Sequence, residues 1–289
     1  MSYKDLLVCI DAGSMDSARV RLALNLARAH RAHLTGVCVM PEVPSAAARA
    51  SGFGSPVGMV GLAGEGATPG GAVDEVFREA EAADIAEQWF KSELRLNGVE
   101  GEWHLLSGRE TDALIELAKI ADLTVLGQAS REARSNGFRP QDVVMDTARP
   151  ILVVPYAGSF ETVGKRALVA WDRTREAVRA VNDALPLLAE AEAVTVIFVG
   201  AQEASLDRHR PSLDRVVMHL RLHGINAEAE QTLQSGLAVS DILLSRAADL
   251  SADLIISGAY HHSQLREALI GGVSRELLAH MTVPVLMSH

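Results

Sequence analysis

The chain repeats one series of strand and helix patterns in its two halves, and this duplication constrains the fold more than any other feature. Four landmarks recur in the same order in each half. They pair Asp11 with Asp172, Ser107-Gly108 with Ser235-Gly236, Asp122-Leu-Thr-Val-Leu-Gly127 with Asp253-Leu-Ile-Ile-Ser-Gly258, and Arg149-Pro-Ile-Leu-Val-Val with Val283-Pro-Val-Leu-Met. Because apolar strand patterns alternate with helical patterns, a parallel sheet with crossover helices is expected in each half. We therefore predict an α/β fold of two tandem, doubly wound, five-stranded, Rossmann-like domains related by internal duplication.

The same patterns place the individual elements. The first half is predicted to contain strands at about 6–11, 34–40, 99–106, 122–127 and 150–155, with helices at 16–31, 74–97 and 109–121. The second half is predicted to contain strands at 166–172, 193–199, 225–233, 253–257 and 283–288, with helices at 174–190, 207–223, 238–250 and 271–280.

The length of 289 residues is sufficient for two domains that each bury their own core. We place the domains at 1–156 and 164–289, joined by a short polar linker between Tyr156 and Gly164. The last strand of an open sheet would expose an unpaired edge, and the short linker keeps the two halves in contact. The halves are therefore expected to pair as an intramolecular pseudo-dimer.

The first half carries a long insertion at 41–73. The segment 41–71 holds eight glycines and four prolines, a composition that favours an irregular connection. One interpretation is a flexible tether to the next helix. The other is a lid or interface flap, since long loops in compact domains often have a function, with the apolar residues Phe53, Met59, Val60 and Leu62 making its contacts.

Charge and composition exclude several classes of protein. The net charge of -10 provides no basic field for nucleic-acid backbones, so nucleic-acid binding is not expected. No apolar run is long enough to cross a bilayer and the N-terminus does not resemble a signal peptide, so we expect a cytoplasmic protein without membrane contact. Cys9 and Cys38 lie in strand-like apolar runs and are interpreted as buried thiols, with a redox pair as the alternative.

The end of the second half has the pattern of an anion-binding loop. An apolar strand ends at Gly258, and His261 follows after two residues. Nine residues later come Gly271 and Gly272, and then Ser274. Glycines at a helix start let backbone N–H groups approach a phosphate, and the helix dipole favours its charge.

A second polar group is expected at the same edge of the sheet. Asp172 ends the first strand of the second half, where a carboxylate could accept hydrogen bonds from adenine or ribose. The alternative for Asp172 is a purely structural role near the start of the next helix.

These motifs resemble the universal stress protein family, whose phosphate loop usually reads Gly-x2-Gly-x9-Gly-Ser/Thr, and the order of elements extends the resemblance over nearly the whole chain. The resemblance implies ATP or another adenine nucleotide, with or without Mg, as the ligand. It maps the phosphate loop onto Gly258, Tyr260, His261, Gly271, Gly272, Val273 and Ser274, and the adenine-side aspartate onto Asp172. The chain departs from the family pattern at His261 and Gly272, and at Arg173, which replaces a glycine.

The first half retains less of this motif. Asp11 and Gly127 match the family positions, but Pro140 stands in place of the later glycines. Proline has no N–H to donate to a phosphate. Three arginines in the stretch could bind an anion, although a solvated loop is the other interpretation; they are Arg131, Arg134 and Arg139. At most one nucleotide site is therefore predicted, in the second half.

The chain is identified as a tandem universal stress protein, and we expect it to be a stress-response binding and signalling module rather than an enzyme. The alternatives are a nucleotide-free scaffold or dimerisation protein and, third, a slow ATPase. No Gly-x4-Gly-Lys-Ser/Thr motif is present to support phosphoryl transfer. His219 and His223 have the spacing of a helical metal pair, but no third ligand accompanies them in the sequence. A homodimer and an unknown protein partner remain possible.

Overall fold

The computed structural model describes residues 2–12, 17–40, 69–107, 111–128, 140–259 and 272–289. The strands are β1 Asp5–Cys9, β2 His33–Met40, β3 Gly101–Ser107, β4 Leu123–Gly127, β5 Ile151–Val154, β6 Arg166–Ala170, β7 Ala193–Gly200, β8 Ala227–Leu233, β9 Leu254–Gly258 and β10 Val285–Ser288. The helices are α1 Ala18–His30, α2 Pro69–Asn97, α3 Thr111–Ile120, α4 Pro140–Thr147, α5 Arg175–Asp183, α6 Leu185–Leu188, α7 Glu203–Leu222, α8 Val239–Asp249 and α9 Gly272–His280.

The strands form one ten-stranded sheet in the order β3-β2-β1-β4-β5-β10-β9-β6-β7-β8. Pairing is parallel within each half, and the two halves have the same doubly wound order. The predicted α/β fold with two duplicated five-stranded halves is confirmed.

The two halves meet through their last strands. β5 and β10 pair in antiparallel fashion, with Val153 opposite Val285 and Leu152 opposite Leu286. All four side chains are fully buried. Across the same seam, Gln128 Nε2 donates a hydrogen bond of 2.9 Å to the carbonyl oxygen of Leu278. The predicted pseudo-dimer is confirmed, and its seam removes the edge that each half alone would expose.

Each face of the sheet is covered by its own set of helices. Successive residues of β1 alternate between the faces, so that Leu6 and Val8 belong to the core on the side of the sheet that carries α1, α2, α5, α6 and α7. Leu7 and Cys9 pack on the opposite side with α3, α4, α8 and α9. Both cores run across the seam, because the strands of the two halves belong to one sheet.

The repeated aspartates at the starts of β4 and β9 serve the same purpose in both halves. The carboxylate of Asp122 accepts hydrogen bonds from the backbone N–H groups of Lys4 and Asp5. Asp253 accepts three such bonds, of 2.9 to 3.1 Å, from residues 164–166. These side chains satisfy backbone donors at the start of the first strand of each half, where the sheet ladder has not yet begun.

Several element bounds differ from the predicted ones. Helix α4 lies between β4 and β5, where the sequence patterns placed no helix; it starts at Pro140, a position at which proline is compatible with a helix. The predicted helix 174–190 is divided into α5 and α6 near Pro186, which cannot donate to the preceding turn. Helices α2 and α7 begin earlier than predicted, at Pro69 and Glu203. The domain bounds at 156 and 164 stay a prediction.

Cys9 and Cys38 are both buried free thiols, as predicted. Cys9 is in register with Val37, which packs on the same side of the sheet, so Cys38 points to the opposite side. The alternative of a redox pair is therefore wrong.

Other predictions concern parts of the chain that the structure does not describe. Residues 41–68, with Phe53, Met59, Val60 and Leu62, lie outside the described ranges, so the tether and flap interpretations stay open. Within those ranges, no helix combines the length and apolar character that crossing a membrane requires.

Candidate functional site

A cavity of about 450 Å³ lies beyond the carboxyl ends of β6, β7 and β9. From β6 the chain proceeds outward to β7 and β8 on one side, while β9 lies on the other side of β6. This is the topological switch point of the second domain, the place where open parallel sheets bind ligands. The volume is in the range typical of small-molecule sites, roughly 300–1,000 Å³.

The inner wall of the cavity is apolar. Ile197 and Val199 of β7 line it together with Val239 and Leu243 of α8. Ile197 and Leu243 are almost completely buried, and the other two are half-buried. A flat heterocycle would find an apolar surface here, with the polar groups confined to the rim.

Asp172 lies on one rim and organises the turn between β6 and α5. Its Oδ1 accepts hydrogen bonds from the backbone N–H of Thr174, at 2.9 Å, and from the Thr174 hydroxyl, at 2.6 Å. Thr174 is the N-cap of α5, and its Oγ1 accepts a bond of 3.1 Å from the N–H of Ala177. Asp172 therefore has the structural role that was its alternative interpretation, while it also lines the cavity.

Arg173 has a left-handed backbone, with φ of 70°. This conformation is unfavourable for a residue with a Cβ and natural for glycine. The departure at Arg173 is therefore accommodated without a change of turn geometry, but with local strain.

Gly258, at the end of β9, allows α5 to approach the sheet closely. A Cβ at this position would lie 2.6 Å from the backbone nitrogen of Ala177 and 2.7 Å from the backbone carbon of Glu176. Neither atom can move without moving the helix. The requirement for glycine here is thus a packing requirement of the second domain.

The opposite rim is the start of α9. Gly272, Val273 and Ser274 all line the cavity. A Cβ added to Gly272 would meet no atom of the described residues within 4 Å, so they leave space open above this backbone. Ser274 is 2% exposed and already has an interaction partner. Three predicted site residues, Tyr260, His261 and Gly271, lie outside the described ranges.

A carboxylate close to the site influences its electrostatics. Burial raises the pKa of Glu176, but hydrogen bonds from its own N–H and from Arg175 outweigh this effect, so the pKa lies below its usual value. Glu176 is therefore ionised at neutral pH. Arg175 partly neutralises it, with Nη2 of Arg175 at 3.2 Å from Oε1.

The corresponding position in the first domain is occupied by an ion pair. Arg19 of α1 is 10% exposed, and its Nη2 lies 2.7 Å from Oδ2 of Asp11, which is 40% exposed. Gly127, the counterpart of Gly258, leaves room for the same guanidinium, which a Cβ would displace. The structure thus brings Asp11 and Gly127 together, and the guanidinium of Arg19 lies between them. Arg131, Arg134 and Arg139 lie outside the described ranges.

The predicted histidine pair lies at the end of α7, with His219 in the last turn and His223 as the C-cap. The rings of His219 and His223 lie edge to face with centroids 4.7 Å apart. Among the residues that the structure describes, no group of three or more His, Cys, Asp or Glu side chains could hold a metal ion.

Comparison with known proteins assigns the second domain to a family. The family model described as "Universal stress protein family" matches residues 164–289. The C-terminal domain belongs to the universal stress protein family. No curated protein sequence matches the chain.

Solved universal stress proteins share the tandem fold. One from Archaeoglobus fulgidus covers 97% of this chain and 94% of its own, with 15% identity and a TM-score of 0.68. A Pseudomonas aeruginosa protein assigned to the same family covers 98% and 92%, with 12% identity and a TM-score of 0.58. At these identities the likeness shows the fold alone.

A third universal stress protein, from Archaeoglobus fulgidus, was solved in complex with dAMP. It covers 53% of this chain and 98% of its own, with 23% identity and a TM-score of 0.31. A likeness at that score gives no information about a ligand of this chain.

Sequence reasoning missed three features of the site. The Asp-x-Thr spacing of Asp172 and Thr174 is a capping signal that could have been read. The apolar wall formed by β7 and α8 is a product of tertiary packing and has no local signature. The position of Arg19 also has no local signature, because the sequence of α1 does not indicate that this side chain reaches Gly127.

Proposed function

We propose that this chain is a stress-response module that binds ATP or another adenine nucleotide in the cavity of its C-terminal domain. The observation that carries the proposal is the cavity itself, which lies at the switch point and combines an apolar wall with polar groups on two opposite rims. The role is binding and signalling rather than catalysis.

The adenosine part fits the inner wall and the Asp172 rim. The base would pack on Ile197, Val199 and Leu243, which supply apolar contact. Both hydrogen bonds from Thr174 to Asp172 go to Oδ1, so Oδ2 can accept a bond from a ribose hydroxyl or the adenine amino group. The turn that Thr174 caps holds this carboxylate in place.

The phosphates fit the α9 rim. The unobstructed backbone at Gly272 and the positive end of α9 favour an anion. In keeping with the family resemblance, we include Tyr260, His261 and Gly271 in the same site, with Val273 and Ser274. Any Mg would be held chiefly by the phosphates, as is usual for this ion.

The first domain is proposed to bind no nucleotide. The guanidinium of Arg19 occupies the space over Gly127 and neutralises Asp11. One nucleotide per chain is therefore expected.

Isothermal titration with ATP and Mg tests the proposal. We expect micromolar binding with one site per chain. Gly272→Val should weaken it by about tenfold or more, because the branched side chain fills the open space above the rim. Gly272→Ala is the matched control, since its single methyl group meets no protein atom. Two equivalent sites per chain would contradict the assignment to one domain.

The same titration decides between this function and a nucleotide-free scaffold, which the structural role of Asp172 and the continuous sheet favour. Absence of heat at millimolar ATP would support the scaffold, and measurable phosphate release would support the slow ATPase. A homodimer would have to form away from the seam, because the β5 and β10 edges are already paired. The outer strands β3 and β8 carry charged residues such as Glu102 and Glu228, which oppose edge-to-edge pairing.

A further inference from the structure

The two domains carry corresponding surface grooves, and the linker forms one wall of the groove in the first domain. In the first domain a groove between α1 and α2, here called the linker groove, is lined by Arg21, Leu24, Asn25 and Glu93 and by the linker residues 159–161. In the second domain a groove of about 360 Å³ between α5 and α7, here called the open groove, is lined by Trp171, Val178, Val181, Asn182, Arg215 and His219, among others.

The helix positions show that these grooves are equivalent. Counted from the N-caps Ser17 and Thr174, the residues Arg21, Leu24 and Asn25 of α1 correspond to Val178, Val181 and Asn182 of α5. Counted back from the left-handed glycines Gly98 and Gly224 after α2 and α7, Glu93 corresponds to His219. Four positions of one groove thus recur in the other.

The linker groove shows what this type of surface binds. Asn25 Nδ2 donates a hydrogen bond of 2.9 Å to the backbone oxygen of Glu161, and Phe160 packs against the hydrophobic core beside it. The linker turns at Gly158, with φ of 109°, and the Phe160 ring lies against this glycine. An extended segment with an aromatic residue followed by an acidic one therefore fits.

The open groove has the same groups without such an occupant. Val178 is 44% exposed. Asn182 Nδ2, the counterpart of the linker-binding amide, donates to Val178 of its own helix. His219 Nε2 is buried, and among the described residues it has no hydrogen-bond partner. These are an exposed apolar contact, an amide that is hydrogen-bonded within its own helix, and a buried nitrogen with no hydrogen-bond partner among the described residues.

The charge of the rim selects an acidic segment. Arg215 lines the open groove and is exposed, and no ion pair joins it to another described residue. In the linker groove the acidic residue after the aromatic one is Glu161. A carboxylate in a segment bound in the open groove would be attracted by the Arg215 guanidinium.

We propose that the open groove docks an extended segment of a partner protein in which an aromatic residue is followed by an acidic residue. The aromatic ring would lie against Trp171 and Val178, and the Asn182 amide would bind a backbone oxygen of the segment. This inference does not rest on nucleotide binding, although Trp171 lines both the open groove and the cavity of the candidate site.

A peptide with the linker sequence of residues 156–163, labelled with fluorescein, is the probe. Titrated with the full chain without nucleotide, it should bind with a Kd between about 10 μM and 1 mM. Val178→Glu should weaken binding at least about tenfold, since a charge would be buried under the ring. The F160A peptide should lose a similar factor.

Met218→Glu is the matched control, because it replaces another exposed apolar residue, 56% exposed, on α7 outside the groove. It should leave the Kd within about twofold. Circular dichroism checks the fold, and Arg215→Glu, on the exposed rim, replaces Val178→Glu should the latter unfold.

A second measurement locates the bound peptide. The chain has three tryptophans, and Trp171 is the one in the second domain. Its Nε1 donates to Ser212 Oγ at 3.2 Å, so its indole ¹H–¹⁵N resonance should shift on binding. No binding at 1 mM peptide, unchanged affinity in Val178→Glu, or an unshifted Trp171 signal would each overturn the proposal. Concentration-dependent dimerisation that Val178→Glu abolishes would also overturn it, by making a second copy the occupant.

Discussion

Each domain has an aspartate and a glycine at the carboxyl edge of its strands. The structure describes a cavity beside this pair in the second domain. In the second domain α5 packs its backbone directly on Gly258, and Asp172 is held by Thr174 at the rim. In the first domain the Arg19 side chain lies over Gly127 and pairs with Asp11.

The difference depends on one side chain near the start of a helix. Arg19 and Glu176 both stand two positions after the N-cap of the first helix of their domain. Only the arginine is long enough, and of the right charge, to reach back to the strand-end aspartate. A duplicated fold can therefore differ in the side chains at two equivalent strand ends, although the aspartate and the glycine are present in both.

The largest expected contrast is between the two strand-end glycines. Gly258→Ala should lower the free energy of unfolding by about 2–3 kcal/mol, because the new methyl group overlaps backbone atoms of α5. Gly127→Ala should lower it by less than about 1 kcal/mol, since the end of the Arg19 side chain can move aside. Urea denaturation of the full chain measures both, and equal losses would break the comparison.

The ion pair of the first domain is tested by a double-mutant cycle on Asp11 and Arg19. Arg19→Ala should lower stability by about 1–2 kcal/mol, because packing over Gly127 and the partner of Asp11 are both lost. The coupling energy with Asp11→Ala should be about 1 kcal/mol. A coupling near zero would show that the pair does not hold the first mouth closed.

A smaller effect of opposite sign is expected at Arg173. Arg173→Gly should raise the free energy of unfolding by about 0.5–1 kcal/mol, because glycine adopts the left-handed backbone without strain. Arg173→Lys retains both strain and charge and should leave stability unchanged. If the glycine variant is the less stable of the two, the turn is not strained.

The smallest expected signal is the thiol reactivity of the first domain. Burial raises the pKa of Cys9 to about 12 and that of Cys38 to about 11, from a usual value of 9.0. Neither thiol should react with iodoacetamide at pH 8 in the native protein, whereas both should react in urea. Rapid native labelling would contradict the burial.

The raised pKa values of the two thiols determine how the free energy of unfolding changes with pH. Above pH 9 the unfolded thiols lose protons that the folded ones keep, so the stability they contribute falls as the pH rises toward about 12. The effect belongs to the first domain alone, because the second contains no cysteine.

Much of the fold could be predicted from local signals. The strand patterns located all ten strands to within a few residues, and the edge argument located the seam at β5 and β10. Helix α4 was not predicted because its eight residues, which begin with a proline, are too few to show an apolar helical period. The division between α5 and α6 was a proline signal that could have been read at Pro186.

The candidate site was predictable only in part. Asp172, Gly258, Gly272, Val273 and Ser274 line one cavity, and their part in nucleotide binding stays a prediction. The sequence did not show what each of these residues does in the structure. Gly258 is required for the close contact with α5, and Ser274 is buried. One carboxylate oxygen of Asp172 accepts the hydrogen bonds from Thr174.

The sequence by itself determined the order of elements, the duplication and the edge by which the halves join, because apolar period, turn residues and chain order are properties of neighbouring residues. The tertiary structure alone decided which mouth stays open, since Arg19 and Gly127 meet only after the sheet has formed. The same is true of the two grooves. Phe160 of the linker forms part of the wall of one groove, whereas only β6, α5 and α7 and the residues beside them line the other among the described residues.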